Sequence, residues 1–361
     1  MPRSFSDSFL TDSMSPAPRI TIAGTGAVSA AGWGVPALLA ALEKGLPVPC
    51  DSIMGPDGNP ALALAVRRVP KPAERPAFLA HPRLRRSSAI TQFAAAAALE
   101  ALGPDYKTTR RTGVVFTLLN GCVNSSGRFF GEVLRDPSTA SPILFPETVF
   151  NAPASHLATL LGFNAPAFTL IGDSAQYIPG IELAVQWLLD DVVDACLVVG
   201  AEEVDWLTAE ALRLLAPGAI LTEGAGALLL ERDGPGPVIQ EIAGPIPIEG
   251  FPGKPARTAA ALAMRKSLAA FPGLALLIDD AAGCRRSDLP GLTAWQDFPG
   301  PRLSPRRLLG EAPGASTALQ CVLAAAVTGS GKSGVAVVSA IGADQQASAL
   351  VLGPPRVPAV P

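Results

Sequence analysis

Apolar and polar positions alternate along this chain between two periods, and the switches mark a succession of strands and helices. Arg19 to Ala30 (RITIAGTGAVSA) opens as a β-rich run leading into glycines, and Val35 to Glu43 has helical spacing. Cys50 to Arg86, dense in proline and arginine, reads as an irregular surface excursion. Ser87 to Leu102 (SSAITQFAAAAALEAL) predicts a helix, with serine before it, alanines inside and glycine after it. Arg111 to Leu119 contains a strand, and a loop rich in turn residues runs on to Phe145 and Pro146. Asn151 then caps a helix reaching Leu161.

A strand at Ala167 to Ile171, a helix at Ile178 to Leu189 and a buried strand at Asp194 to Gly200 follow. Two apolar runs surround Gly224 and Gly226 between Ala219 and Glu231. After Asp233 the pattern begins again: strand at Val238 to Ile242, helix at Arg257 to Ala270, strand at Leu274 to Ile278. A helix at Ala315 to Val327 and paired strands at Val335 to Ser339 and Ala347 to Leu352 complete it. One restart of strand–helix alternation predicts two α/β halves, 19–235 and 236–353, between tails 1–18 and 354–361.

Composition narrows the class. Of 361 residues 48% are apolar, 16% charged and 6% aromatic, so small side chains must pack between closely approaching elements, as layered α/β folds require. A net charge of −3 gives no reason to expect nucleic acid or an anionic membrane as partner. No apolar run approaches the ~18 residues of a spanning helix. The first 18 residues lack the apolar core of a signal peptide and read as a mobile tail. Five scattered cysteines show neither metal spacing nor a disulfide framework, so they read as buried free thiols in a reducing cytoplasm. No metal and no cofactor is expected.

Two glycine motifs invite phosphate or dinucleotide readings that the spacing does not support. Gly24-Thr25-Gly26 lacks the third glycine, since position 29 is Ser29, and reads as a strand-ending turn. Gly329 to Ser333 (GSGKS) sits between a helix and a strand, whereas a phosphate cradle needs backbone amides at a helix start. A flexible connector suffices there.

ITIAGTGAVSAAGWG, RTGVVF, SPILFP, NAPASHLATLLGFNAPAFTL, LVVGAEE and TEGAGALLLE follow one another at fitting separations. In that order they resemble the β-ketoacyl synthase family, and the resemblance spans Ile20 to Leu352. It implies a thiolase fold, five-layered αβαβα made of two similar halves, and obligate pairing of two subunits. In active members a cysteine at a helix start is held as thiolate. Two histidines from the second half drive decarboxylation and hold the enolate oxygen.

Carried over residue by residue, that centre is missing here. The nucleophile position falls on Ser174, within GDSAQYIPG. IDDAAGCRRSD places Asp280, or its neighbour Asp279, at the first histidine, and RRLLGEAPGAS places Glu311 at the second, with Arg306 where a lysine is expected. The oxyanion-side loop is reduced to SAIGADQQAS, which keeps only Gly342. The chain's two histidines, His81 and His156, lie elsewhere. A serine needs a base that carboxylates supply only when desolvated, and an anionic pair repels a malonyl carboxylate. The alternative for Ser174 is a small residue capping Tyr177 or a neighbour. Trp187, Trp206, Phe129 and Phe150 read as core or subunit-interface residues.

The resemblance therefore points to a non-condensing subunit similar to the chain length factors of type II polyketide and aryl polyene systems. Such a subunit pairs with an active ketosynthase, meets acyl carrier protein and limits product length with large apolar side chains. The chain departs from that type in carrying serine where glutamine is frequent, and in trimmed loops around 215–220 and 250–275. The alternatives are an acyltransferase or thioesterase acting through Ser174 on acyl-carrier thioesters, and a homodimeric carrier-binding scaffold.

Overall fold

The computed structural model describes residues 18–355 except 73, 83, 85, 86, 108, 109, 251, 252, 270 and 272; the expected tails lie almost wholly outside that range. The chain opens with β1 (Ile20–Ser29), β2 (Gly32–Trp33), α1 (Val35–Lys44), β3 (Asp51–Ile53), β4 (Leu64–Arg67) and α2 (Ala89–Leu102). It continues with β5 (Thr112–Leu118), α3 (Val123–Arg135), α4 (Ala152–Leu161), β6 (Ala167–Ile171), α5 (Tyr177–Leu189) and β7 (Ala195–Glu202). Then come α6 (Trp206–Leu215), β8 (Leu221–Thr222), β9 (Gly224–Arg232), β10 (Val238–Pro247), α7 (Lys254–Ser267) and β11 (Leu274–Ile278). The last elements are α8 (Arg285–Ala294), β12 (Arg302–Leu303), α9 (Pro305–Leu309), α10 (Ser316–Gly329), β13 (Val335–Ile341) and β14 (Gln346–Gly353).

Hydrogen bonding orders the main strands β12-β11-β13-β14-β10-β1-β9-β7-β5-β6. The order mirrors itself about the β10–β1 pair: β14 answers β9, β13 answers β7, β11 answers β5 and β12 answers β6. Directions match too, since β5 lies parallel to β6 and β7 while β11 lies parallel to β12 and β13. Strand periodicity builds the layers from here. On β7, Cys196 and Val198 face one apolar cluster and Leu197 and Val199 another; on β13, Ala336 and Val338 share the first cluster while Val337 turns to a third. The two halves of this strand order, joined at β10–β1, act as two sheets: the shared cluster holds α5 and α10 between them, with α2 and α4 outside one and α7 and α8 outside the other. This is the five-layered αβαβα thiolase arrangement.

Small residues make the layers possible. Gly24 and Gly26 lie inside β1, not in a turn after it, and α2 rests directly on their backbone. A Cβ on either would fall 1.9 Å from a carbonyl oxygen of α2, Ala101 O or Ala97 O. The GxG pattern thus records helix–sheet contact, not a turn.

Four further expectations need correction. The excursion 50–86 contains β3 and β4, completed into a small sheet by β8, a strand distant in sequence that local pattern cannot reveal. The loop expected before Phe145 contains α3, whose residues are none of them buried, and α6, α8 and α9 add helices where no pattern was visible. Cys50 is exposed, while Cys122, Cys196, Cys284 and Cys321 are buried and free. The helix expected over Arg257–Ala270 begins earlier, at Lys254, and ends at Ser267; Ala270 itself lies outside the described residues. Among the described residues no helix is long and apolar enough to cross a membrane.

Because the obstacle at Gly26 is backbone, Gly26→Ala should lower the urea-denaturation free energy by about 3 kcal/mol. Gly131→Ala, on the exposed α3 with open space around it, should stay within about 1 kcal/mol of the parent.

Candidate functional site

Arg306 gathers the residues singled out by the sequence. It lies on the short helix α9, which Pro305 starts and Gly310 ends. Gly310 has φ of 101°, and a Cβ there would meet Ile220 O at 2.6 Å, so only glycine allows the chain to double back. The reversal returns Glu311 toward Arg306 and pins it as a bridge to β8: Glu311 N donates to Ile220 O at 2.8 Å, and Thr222 N to Glu311 O at 2.9 Å.

The guanidinium is buried and well held. Nη1 donates to Glu311 Oε2 at 2.9 Å, and Nη2 donates to Thr317 Oγ1 at 3.1 Å and Gln320 Oε1 at 3.2 Å. Gln320 in turn donates to Asp279 O at 2.7 Å, while Nε of Arg306 is buried without a partner among the described residues. Burial works against the charge, but Glu311 and Asp280 outweigh it and hold the guanidinium protonated.

Asp280, Glu311 and Asp173 surround this cation electrostatically. Burial raises all three carboxyls above their ordinary range; the pull of Arg306 offsets this only in part. Asp280 is pushed up to about 6, although Oδ2 accepts Ile341 N at 2.9 Å. Asp279 points elsewhere: its Oδ1 accepts from Ser304 Oγ at 2.6 Å and Ala281 N at 3.2 Å. Of the two alternatives for the first histidine position, Asp280 is therefore the one coupled to Arg306.

Ser174 opens the tight turn before α5, a turn packed on α10, β13 and β14. It is only 6% exposed. Among the described residues no group hydrogen-bonds its Oγ. The capping role expected for it belongs to Asp173, whose Oδ1 accepts Ala175 N at 3.0 Å. Sequence reasoning passed over Asp173; its one available signal was an acid immediately before the nucleophile position.

A second set of acids was read only as part of two family signatures. Glu202 ends the wholly buried β7, Glu203 follows it, and Glu223 precedes β9. Glu202 collects Leu119 N at 3.0 Å, Gly314 N at 3.1 Å and Asn120 N at 3.4 Å. Glu203 takes Asn124 N and Ile90 N, and Glu223 takes Val69 N and Val204 N. These carboxylates brace loops at one end of the first sheet. Burial dominates even three amide donors and pushes Glu202 up to about 8.

Neither histidine reaches the Arg306 cluster. His156 lies on α4, with Nε2 at 2.6 Å from Glu147 Oε1. His81 follows the turn Ala77–Ala80, with Nδ1 buried and unpartnered among the described residues. Among those residues no cluster of His, Cys, Asp and Glu is arranged to hold a metal ion. Trp187 packs against the central cluster, Trp206 donates to Leu62 O, and Phe129 stacks with Phe145. Phe150 is exposed.

One strip of surface is conspicuously apolar. Among the described residues β6 pairs only with β5, leaving its other edge open there, with Phe168 and Ile171 exposed. Phe130 and Leu134 on α3, and Phe145 and Phe150 after it, are exposed as well. Packing runs without a break from α3 through Phe145–Thr148 and α4 to β6. Exposed side chains of this size on an open strand edge mark an interaction surface.

No family model matches the sequence, and no curated protein matches it. Solved structures do. The ishigamide ketosynthase/chain length factor superimposes with a TM-score of 0.78 at 22% identity, covering 94% of this chain and 100% of that one. A β-ketoacyl synthase from Burkholderia phymatum STM815 gives 0.79 at 18% identity, with the same coverage of both chains. A ketosynthase bound to a hexaketide, in complex with its type II polyketide acyl-carrier protein, gives 0.73 at 16%, again covering 94% and 100%. The chain shares the thiolase fold with these structures.

Two outcomes follow from the buried charges. Arg306→Met, which strands three carboxyls, should cost about 3–5 kcal/mol at neutral pH, with a smaller cost below pH 6, where Asp280 is protonated. Glu202 binds its proton more tightly folded (about 8) than unfolded (4.5). Its contribution to stability is therefore complete below 4.5 and is lost as pH rises through 8. The slope should reach about 1.4 kcal/mol per pH unit, and Glu202→Gln should flatten it in denaturation curves taken across that window.

Proposed function

We propose that this chain is a non-condensing β-ketoacyl synthase-type subunit that pairs with an active ketosynthase and acts as its chain length factor. The observation that carries the reading is the Arg306 cluster. At the positions where the resemblance calls for cysteine and two histidines stand a serine with no base, Asp280 and Glu311, and the two acids are committed to a buried cation. A histidine accepts a proton near neutral pH and donates to an enolate oxygen. Burial raises the proton affinity of Asp280 and Glu311, but Asp280 is turned to Ile341 N and Glu311 to Arg306, and when ionised they repel a malonyl carboxylate. Condensation must then come from another chain.

The open β6 edge and the apolar strip beside it supply a place for that chain. An added strand satisfies the free edge while Phe168, Ile171, Phe130 and Leu134 leave water. Phe145 and Phe150 on the same strip have the bulk to fill the end of a shared acyl tunnel and so set product length. The ketosynthase/chain length factor and the ketosynthase–carrier complex among the structural neighbours are consistent with an acyl carrier protein as the substrate-bearing partner.

Co-expression with an active ketosynthase should yield a one-to-one complex, and the isolated chain should condense nothing. Phe168→Asp should weaken pairing by about 30-fold or more in sedimentation or calorimetry, whereas Ser174→Ala should leave pairing and product length unchanged. An acyl group found on Ser174 by mass spectrometry after incubation with acyl-carrier thioesters would establish the acyltransferase reading instead. A stable homodimer that binds carrier protein but no synthase would establish the scaffold.

A further inference from the structure

The β13–β14 turn lies directly on the turn that carries Ser174. A Cβ at Gly342 would fall 2.6 and 2.7 Å from the two carboxylate oxygens of Asp173, and one at Gly172 would fall 2.5 Å from Gln345 Oε1. Asp173 uses both oxygens: Oδ1 accepts Ala175 N at 3.0 Å within its own turn, and Oδ2 accepts Ala343 N at 2.6 Å across the gap. Two other charged groups hold the same strand end. Asp280 Oδ2 accepts Ile341 N at 2.9 Å, and Arg257 Nε on α7 donates to Gly342 O at 2.8 Å. Gln346 Nε2 adds a bond to Gln176 Oε1 at 3.0 Å. Peptide groups at 341, 342 and 343 are thus each taken by a charged side chain from a different part of the fold.

We propose that Asp173 is a built-in latch that holds the β13–β14 turn shut over Ser174, spending the Ala343 amide on the protein's own carboxylate and keeping acyl thioesters from the serine. The proposal rests on the reading of a non-condensing subunit and extends it. Lost histidines explain why no condensation is catalysed; the latch explains why no acyl group reaches the serine at all. One carboxylate bridges the turn that carries Ser174 in the first half and the last hairpin of the second, so breaking its bond to Ala343 loosens the two turns locally without touching either sheet.

A Ser174→Cys reporter, studied as the full chain without partner, tests this through alkylation by iodoacetamide, followed peptide by peptide. Exposed Cys50 is the internal reference. With the latch intact, the position-174 thiol should react at least about 100-fold more slowly than Cys50, as a closed site requires. Adding Gly342→Ala should raise that rate at least about tenfold, because the new methyl has no room beside Asp173. This variant keeps the Asp173 charge, so faster labelling reports access, not a change in thiol ionisation. Asp173→Asn, which cannot accept both amides, should act in the same direction.

Labelling at the Cys50 rate in the latched background, or no acceleration in either opened variant, overturns the proposal. Hydrogen exchange gives an independent reading on the Ser174-containing chain: Asp173→Asn should deprotect residues 341–346 and leave β7 and β9 protected, and unchanged protection at 341–346 also overturns it. Loss of pairing with a synthase would sink the functional reading alone, since neither measurement here involves a partner.

Discussion

Burying the Arg306 guanidinium between two sheets costs several kcal/mol of hydration, and only close carboxylates and amide oxygens recover it. That requirement organises the centre of the molecule. Glu311 must return along β8, which needs Gly310; Gln320 must face inward from α10; Asp280 must close β11. Asp173 feels the same cation from the other half of the chain. Three stretches far apart in sequence, at 173, 280 and 306–320, answer to one charge. Moving any of them leaves the others with unbalanced charge in an apolar interior, where screening is weak.

The architecture admits this cation because its central layer is thin. Gly200 and Gly226 let α10 approach the first sheet, and a Cβ on either would meet Ala318 at 2.8 Å. With helix backbone that close, little room remains around Ser174, and the polar groups present must satisfy one another. In a tightly packed interior the identity of each buried polar residue is dictated by its neighbours. An ion cluster in such an interior is therefore set as a unit, as Arg306, Asp280 and Glu311 are here.

Much of this was legible in the sequence, and the exceptions share a cause. Strands β5, β6, β11, β13 and β14 and helices α2, α4 and α10 announce themselves as short apolar runs or long helical stretches bounded by turn residues, signals that are local in sequence. The small sheet stayed hidden because β4 finds its partner β8 across more than half of the first sheet's sequence. Helix α3 stayed hidden because its apolar face meets no core of this chain. At the site, Ser174, Asp280 and Glu311 came from aligning motifs, whereas Asp173 and Gln320 are visible only once the two halves face each other. The GxG of β1 shows the converse: a pattern with a familiar meaning whose real cause, contact with α2, is tertiary.

Whether Ser174 retains chemistry turns on proton accounting. A hydroxyl attacks a thioester only as its proton leaves, and the acceptor must have a lone pair aimed at it. Asp173 spends one oxygen on Ala175 N and the other on Ala343 N. Asp280 is turned to Ile341 N, and Glu311 to Arg306. Their raised proton affinity makes each a better base in principle, yet none is bonded to the serine Oγ. Raised carboxylate pKa values and a buried serine are usually read together as a catalytic signature. Here the same values follow from burial around one arginine, and the geometry assigns them to holding the fold closed.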